Sequence, residues 1–357
     1  MSLRGQVSLK LGEFQLETGE FQLPDTGLTA VFGHSGSGKT TFLRCLAGFE
    51  PNAKGEVYFF DQAWLKLGQF LPIHKRQLGY VFQEASLFAH LTVEGNLRYG
   101  LKRAKGPRSI EFNQVVDWLG LSALLSRDVL SLSGGEKQRV AIGRTLLSQP
   151  KVLMMDEPMA SLDVFSKRAI MPYIERLRDE LEIPIVYITH SPEEVERLAD
   201  TVVFMSKGRI TQIEPIAQAL NRAGTPLYQN AEPRSVIAAE VVEQVLEDGL
   251  TRLSADGAEL FVPALDEPLG AKVRVVIAAN QVSLMASQPD MTSVLNHLPV
   301  TIESIEPVNE YSLLLRLRSW DAPWPLLAQV TKRSARRLDL QVGQHWVAAI
   351  KSASILN

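Results

Sequence analysis

Five apolar runs of strand length punctuate the first two thirds of the chain: "LTAVF" (28–32), "QLGYVF" (77–82), "KVLMMD" (151–156), "IPIVYIT" (183–189) and "TVVFMS" (201–206). Several are apolar at every position instead of alternating, the pattern of strands covered on both faces by helices. Longer helical stretches separate them, so Gly27 to about Pro215 is expected to form a largely parallel α/β sheet. Near 221–234, "NRAGTPLYQNAEPR" gathers turn formers and marks a boundary. Beyond it, short alternating runs with frequent turns predict an all-β region.

The all-β region repeats itself. "SVIAAEVVEQV" from Ser235 and "SVLNHLPVTIESI" from Ser293 open alike. Gly270 precedes "AKVRVVIAANQVSL" and Gly343 precedes "QHWVAAIKSASIL", with Ile277 and Ile350 each seven residues past the glycine and Val282 and Ile355 five further on. Two related β units are expected. The division is then 1–230, 231–290 and 291–357.

Composition narrows the class. At 357 residues two domains, or one with an appendage, is the default, and 45% hydrophobic content is enough for a sizeable core. A net charge of −3 and a pI near 6.1 argue against a nucleic-acid partner. A single cysteine, Cys45, excludes an internal disulfide framework and fits a reducing compartment. The start lacks a signal-peptide core, and nowhere is there the run of about 20 apolar residues that crosses a bilayer. Work at a membrane would need a partner to hold the chain there.

The strand-like "LTAVF" runs into "GHSGSGKTT", which fits the phosphate-cradling spacing Gly33-x4-Gly38-Lys39-Thr40. Glycines let successive amides point inward at a polyphosphate, and the helix starting near Lys39 adds its positive end. Lys39 is expected to reach the β- and γ-phosphates and Thr40 to ligate Mg²⁺. Gly33, His34, Ser35, Gly36, Ser37, Gly38, Lys39, Thr40 and Thr41 are the expected ATP-binding residues.

A second region, "LSLSGGEKQRVAIGRTLLSQPKVLMMDEP" (130–158), ends an apolar strand in two carboxylates. Asp156 is placed to hold Mg²⁺ and Glu157 to polarise an attacking water. A carboxylate pair after a strand is also an ordinary helix cap. Upstream, Ser133, Gly134, Gly135 and Glu136 open a helical segment and make a second anion-binding helix start.

Together these motifs resemble the nucleotide-binding subunit of an ATP-binding cassette (ABC) transporter over about residues 5–230, with "LSGGEKQR" the most specific element. The resemblance implies a P-loop NTPase fold and further roles. Gln83 of "YVFQEASLF" would sense Mg²⁺ and the membrane partner, Asp163 of "SLD" would sit in the dimer loop, and His190 of "YITHSPEE" would be the switch histidine. Singly, Gln83 reads equally as a solvated turn residue, Asp163 as a cap and His190 as a polar strand end. Phe14 is the candidate for stacking on adenine, with Phe21 as the alternative. Two such subunits would pair as a head-to-tail homodimer, Ser133 and Gly135 of one completing the Lys39 and Glu157 site of the other. Phe88, Leu91 and Val93 lie where the family docks a helix of its integral membrane permease, and read equally as residues buried locally.

The tail from about Ser293 resembles the small OB-like β-barrel of the Mop/TOBE type that trails the ATPase of molybdate importers. That resemblance implies an ATP-hydrolysing subunit, peripheral on the cytoplasmic face of a bacterial inner membrane. It would drive import of molybdate or tungstate and work indirectly with a periplasmic binding protein. Importers of sulfate, iron, polyamine or sugar, and a soluble non-transport ABC ATPase, are the alternatives. Ser293, Asn296, Thr331, Lys332, Ser334, Lys351 and Ser352 are the candidate oxyanion donors. Where the module commonly carries arginine in Ser-x-Arg-Asn, this chain has Leu295. The basic run "KRSARR" (332–337) reads as a solvated face or as part of that site.

Overall fold

The structure is a computed structural model that describes residues 3–66, 69–104, 109–220, 222, 225–228, 233–288, 291–321, 324–351 and 353–355. The chain divides into two compact units, Met1–Ile216 and Ala217–Asn357. Among the described residues no helix is long and apolar enough to cross a membrane.

In the first unit the five apolar runs form strands Leu28–Phe32, Leu78–Val81, Val152–Asp156, Ile185–Thr189 and Thr201–Ser206. They lie parallel, and Arg209–Pro215 adds an antiparallel edge beside Thr201–Ser206. Leu28–Phe32 sits between Thr201–Ser206 and Ile185–Thr189, and Val152–Asp156 and then Leu78–Val81 follow outward. Leu28–Phe32, Val152–Asp156 and Ile185–Thr189 are buried at every residue, which explains their uninterrupted apolar sequence.

A second sheet, antiparallel, was not among the expected elements. It is built from Leu3–Leu11, Phe14–Glu17, Phe21–Leu23, Lys54–Phe59, Gln62–Lys66 and Gln69–Phe70. Most of its strands are short and alternate apolar and polar residues, while Gln62–Lys66 buries the adjacent Trp64 and Leu65. Leu3, Val7, Leu9, Leu16 and Phe21 from this sheet share a core with Phe42, Leu43 and Leu46 of the helix Lys39–Ala47 and with Val31, Met154 and Ile188 of the parallel sheet. The helix that begins at Lys39 is thereby gripped on two faces.

The second unit realises the repeat. One sheet runs Ala258–Pro263, Leu250–Ala255, Arg234–Val245, Lys272–Ala278, Ser354–Ile355; the other runs Pro325–Thr331, Ser312–Ser319, Asn296–Pro307, His345–Ile350, Val282–Met285. Each half therefore lends its last strand to the other: Val282 pairs with Ile350, and Ile355 with Val275. Ile237, Leu253, Val275 and Ile277 of one sheet and Val300, Leu315, Leu326 and Ile350 of the other form a single core.

The exchange is locked by a reciprocal pair of side chains. Buried Ser235 accepts the Leu327 amide at 2.8 Å, and buried Asn296 accepts the Phe261 amide at 2.7 Å and donates to the Phe261 carbonyl at 2.9 Å. This corrects the expectation that Asn296 offers a donor to an oxyanion, because the residue is 6% exposed and its amide is engaged with Phe261 through both its oxygen and its nitrogen. Asn296→Ala strands a buried N–H and C=O and should lower unfolding stability by about 2 kcal/mol, read as a shift in the urea midpoint.

Candidate active site

All the parallel strands deliver their chemistry at one edge. In register, Thr189 pairs with Phe32, Ile188 with Asp156, and Val81 with Met155. The residues that follow each strand end therefore gather at the carboxyl edge of the sheet, where ligands of open α/β folds sit. There a cleft of about 280 Å³ is lined by Phe14, Ser35, Gly36, Gly38, Lys39, Thr40, Thr41 and Glu157.

Lys39 is 4% exposed and donates to the carbonyls of Gly33 at 2.8 Å and His34 at 3.2 Å, with Glu157 Oε1 at 3.7 Å. Burial pulls its ammonium below the ordinary value, and Glu157 and Asp156 pull it back. Thr40 Oγ1 donates to Asp156 Oδ1 at 2.9 Å, while Tyr80 donates to Asp156 Oδ2 at 2.9 Å. Burial and the Asp156 charge together hold the Tyr80 phenol well above its usual range. Glu157 has φ +46, a left-handed conformation uncommon for a residue with a side chain. Its Oε2 lies 3.1 Å from His190 Nδ1.

Gly38 has φ +100, and a Cβ there would meet Phe14 Cζ at 2.8 Å, so the phosphate loop packs directly on the candidate adenine platform. Phe14 is half-buried and reaches the cleft. The alternative, Phe21, is corrected: it is 4% exposed and packs edge-on against Phe42 in the core. Behind the loop, the Gly208 amide donates to the Ser37 carbonyl at 2.9 Å and the Gly208 carbonyl accepts the Glu17 amide at 2.7 Å. A Cβ at Gly208 would meet the Gln15 carbonyl at 2.1 Å, so only glycine allows this weld between the loop and the strand of Phe14. Neither Gly208 nor Tyr80 stood out in the sequence. A lone hydroxyl in an apolar strand was the available sign for Tyr80.

Ser133 caps the helix Gly134–Leu146 through a closed capping box, its amide donating to Glu136 Oε2 at 2.7 Å and its hydroxyl accepting the Glu136 amide at 3.3 Å. The Ser133 amide holds the Glu136 carboxyl below its usual range. Asp163 caps the helix Val164–Glu180, accepting from the Ser166 amide at 3.0 Å and the Ser166 hydroxyl at 2.6 Å. The two helix starts adjoin, since a Cβ on Gly134 would meet Leu162 at 2.9 Å. Among the described residues, Ser133, Gly134, Gly135, Glu136 and Gln83 do not line the cleft. Gln83 is exposed, two residues past the strand Leu78–Val81.

Residues 16–160 match the family model described as ABC transporter, and residues 292–356 match the TOBE domain. Over 335 residues the chain is 47% identical to the molybdenum import ATP-binding protein ModC of Methylococcus capsulatus, an alignment that covers 94% of each protein. The chain belongs to the ATP-binding subunits of ABC transporters. A further relative, the molybdenum import ATP-binding protein ModC of Pseudomonas fluorescens, is 43% identical over 362 residues and 100% of both chains. Among solved structures, this ABC subunit is similar to a nucleotide-free ATP-binding cassette from an ABC transporter, with TM-score 0.53 at 25% identity over 64% of this chain and 98% of that one. It is likewise similar to cbiO1 from Clostridium perfringens, with TM-score 0.53 at 26% identity over 60% of this chain and 89% of that one.

The remaining candidates in this ABC subunit scatter. Val93 is fully buried and cannot meet a partner, a correction to its expected docking role. Phe88, half-buried, packs locally at a tilt against Tyr99, ring centres 4.2 Å apart, and under Arg144 at 5.0 Å. In the second unit, Thr331 and Ser334 bond each other at 2.9 Å as the cap of the short helix Lys332–Leu338. Ser293, Lys332 and Lys351 are exposed, and Ser352 lies outside the described residues. The basic run forms the solvated face of that helix, with Ala335 turned inward.

Proposed function

We propose that this chain is the ATP-hydrolysing subunit of an importer for molybdate, or its congener tungstate. It would act as a homodimer on the cytoplasmic side of a bacterial inner membrane, held there by permease subunits that a periplasmic binding protein supplies. One observation carries the ATPase reading: Lys39, Thr40, Asp156, Glu157 and His190, up to 151 positions apart in sequence, meet at the sheet edge in two adjoining sets of contacts, Lys39–Glu157–His190 and Thr40–Asp156. Kinship over nearly the whole chain to proteins named for molybdenum import supports the cargo.

The chemistry follows from the contacts. A triphosphate in the cleft offers Lys39 anionic oxygens in place of the two carbonyls it now holds, and phosphate recognition by a fixed, poorly solvated ammonium is strong. Glu157, beside the cleft and aligned by His190, takes the proton of the attacking water. The Thr40 hydroxyl and Asp156 carboxylate, 2.9 Å apart, form the all-oxygen donor set suited to Mg²⁺, with exposed Gln83 near the same edge. Bound there, Mg²⁺ would neutralise charge on the β- and γ-phosphates.

Ser133 and its neighbours stand outside the cleft of their own chain, which supports their use on a second copy. Leu130, Val164 and Phe165, exposed by 68%, 63% and 83%, lie beside the two helix starts and suit an apolar contact between copies. For the permease, the better surface is a groove of about 410 Å³ with an aromatic floor of Phe49, Tyr80 and Phe82 and a basic rim of His74, Lys75 and Arg103. Reconstitution with the permease and binding protein in vesicles tests the reading. Molybdate, and not sulfate, should raise ATP hydrolysis several-fold; equal stimulation by sulfate would refute the cargo.

A further inference from the structure

The sequence holds two Ser-x-x-Glu helix starts, Ser133–Glu136 and Ser191–Glu194. In the first, the glutamate folds back onto its own cap amide, as such pairs usually do. The second does otherwise. The Ser191 amide donates to Thr189 Oγ1 at 3.0 Å, and Glu194 turns inward and is 4% exposed. Its Oε2 accepts hydroxyl bonds from Thr189 at 2.6 Å and Tyr187 at 3.0 Å. Its Oε1 lies 3.6 Å from Lys167 Nζ. A carboxylate loses hydration on burial and is held there only by a complete set of partners, so this inward turn is a costly alternative to the capping box.

The partners lie on two functional segments. Thr189 and Ser191 flank His190, whose side chain is 53% exposed and so is not aimed by packing around it. Besides its 3.1 Å contact with Glu157, its direction is set by the backbone that the Glu194–Thr189–Ser191 bonds fix. Lys167 lies in the first turn of the helix Val164–Glu180, its amide donating to the carbonyl of Asp163 at 2.9 Å. Contacts thus run from Asp163 through Lys167, Glu194 and Thr189 to the turn that points His190 at Glu157.

We propose that Glu194 is a positioning residue that aims His190 and ties that aim, through Lys167, to the Asp163 loop. When a second copy engages that loop, the first turn of its helix shifts, and the carboxylate carries the shift to the histidine. This rests on the roles given to His190 and the dimer loop above.

The test measures ATP turnover and nucleotide affinity of the full chain in its reconstituted complex. Glu194→Gln should lower kcat about tenfold and leave KM for ATP within about twofold, because the phosphate loop is untouched. Lys167→Met, at a partly exposed side chain, should lower kcat about threefold and cost nothing further on top of Glu194→Gln. In a His190→Ala background, followed by labelled-phosphate release, neither change should lower turnover again. Unchanged kcat in both single variants overturns the proposal, as do losses that multiply in the His190→Ala background. Should Glu194→Gln fail to fold, Lys167→Met alone decides. Normal turnover in His190→Ala itself would overturn the histidine reading, and with it any need for positioning.

Discussion

Glu157→Gln will keep ATP bound and all but stop its hydrolysis. The substitution preserves the shape of the side chain and an oxygen for His190, which lies 3.1 Å away, and removes only the capacity to take a proton. It also removes the charge 3.7 Å from Lys39, which frees the ammonium for phosphate, so nucleotide affinity should hold or rise. Loss of the base alone costs on the order of 10²–10⁴ in kcat. With hydrolysis blocked, the closed pair should accumulate in ATP and be visible by sedimentation. The left-handed backbone of Glu157 belongs to the same argument: a strained residue at a strand end is tolerated where the site requires that aim. Turnover within tenfold of the unaltered protein would remove Glu157 from the role of base.

Lys39→Ala should abolish function one step earlier. The ammonium is the one cation lining the cleft among the described residues, and it also binds two carbonyls of the phosphate loop. Removing it deletes the charge that meets the phosphates and leaves the Gly33 and His34 carbonyls without that donor. A charge-assisted contact of this kind is worth about 3 kcal/mol, so ATP affinity should fall at least about 100-fold. Arginine should not rescue it, because a planar fork does not fit a site 4% exposed and shaped for a point charge. Equilibrium binding of a fluorescent ATP analogue measures the effect; affinity within threefold would show that the loop is not the phosphate site. The two variants therefore separate binding from chemistry.

Some of the site was legible because its residue types are chemically restricted. The spacing of Gly33, Gly38, Lys39 and Thr40 leaves few uses other than phosphate, and strands buried on both faces announce themselves by unbroken apolar runs. Other parts were hidden because the signal is spread across the chain. Strands such as Leu3–Leu11 and Phe14–Glu17 alternate apolar and polar residues over only a few positions, a weaker sign than an unbroken apolar run, and the sheet that clamps the Lys39 helix went unread. Asn296 looked like an oxyanion donor because an amide is one; that it binds Phe261 depends on how two repeats trade strands. For Val93 the resemblance left permease docking and local burial equally open; packing against the rest of the unit decided for burial.

From its sequence alone, this protein is an α/β unit with a phosphate loop, followed by a duplicated β region. Local chemistry suffices for that, since backbone reach, periodicity and turn composition act over a few residues. Tertiary structure alone decided which atoms of Lys39, Thr40, Asp156, Glu157 and His190 touch, that Phe14 and not Phe21 faces the cleft, and that Glu194 turns away from its own cap toward Lys167. Those outcomes depend on the order of strands in the sheet and on which partners remain to pair a buried charge. Both are properties of the assembled core, and no short segment encodes them.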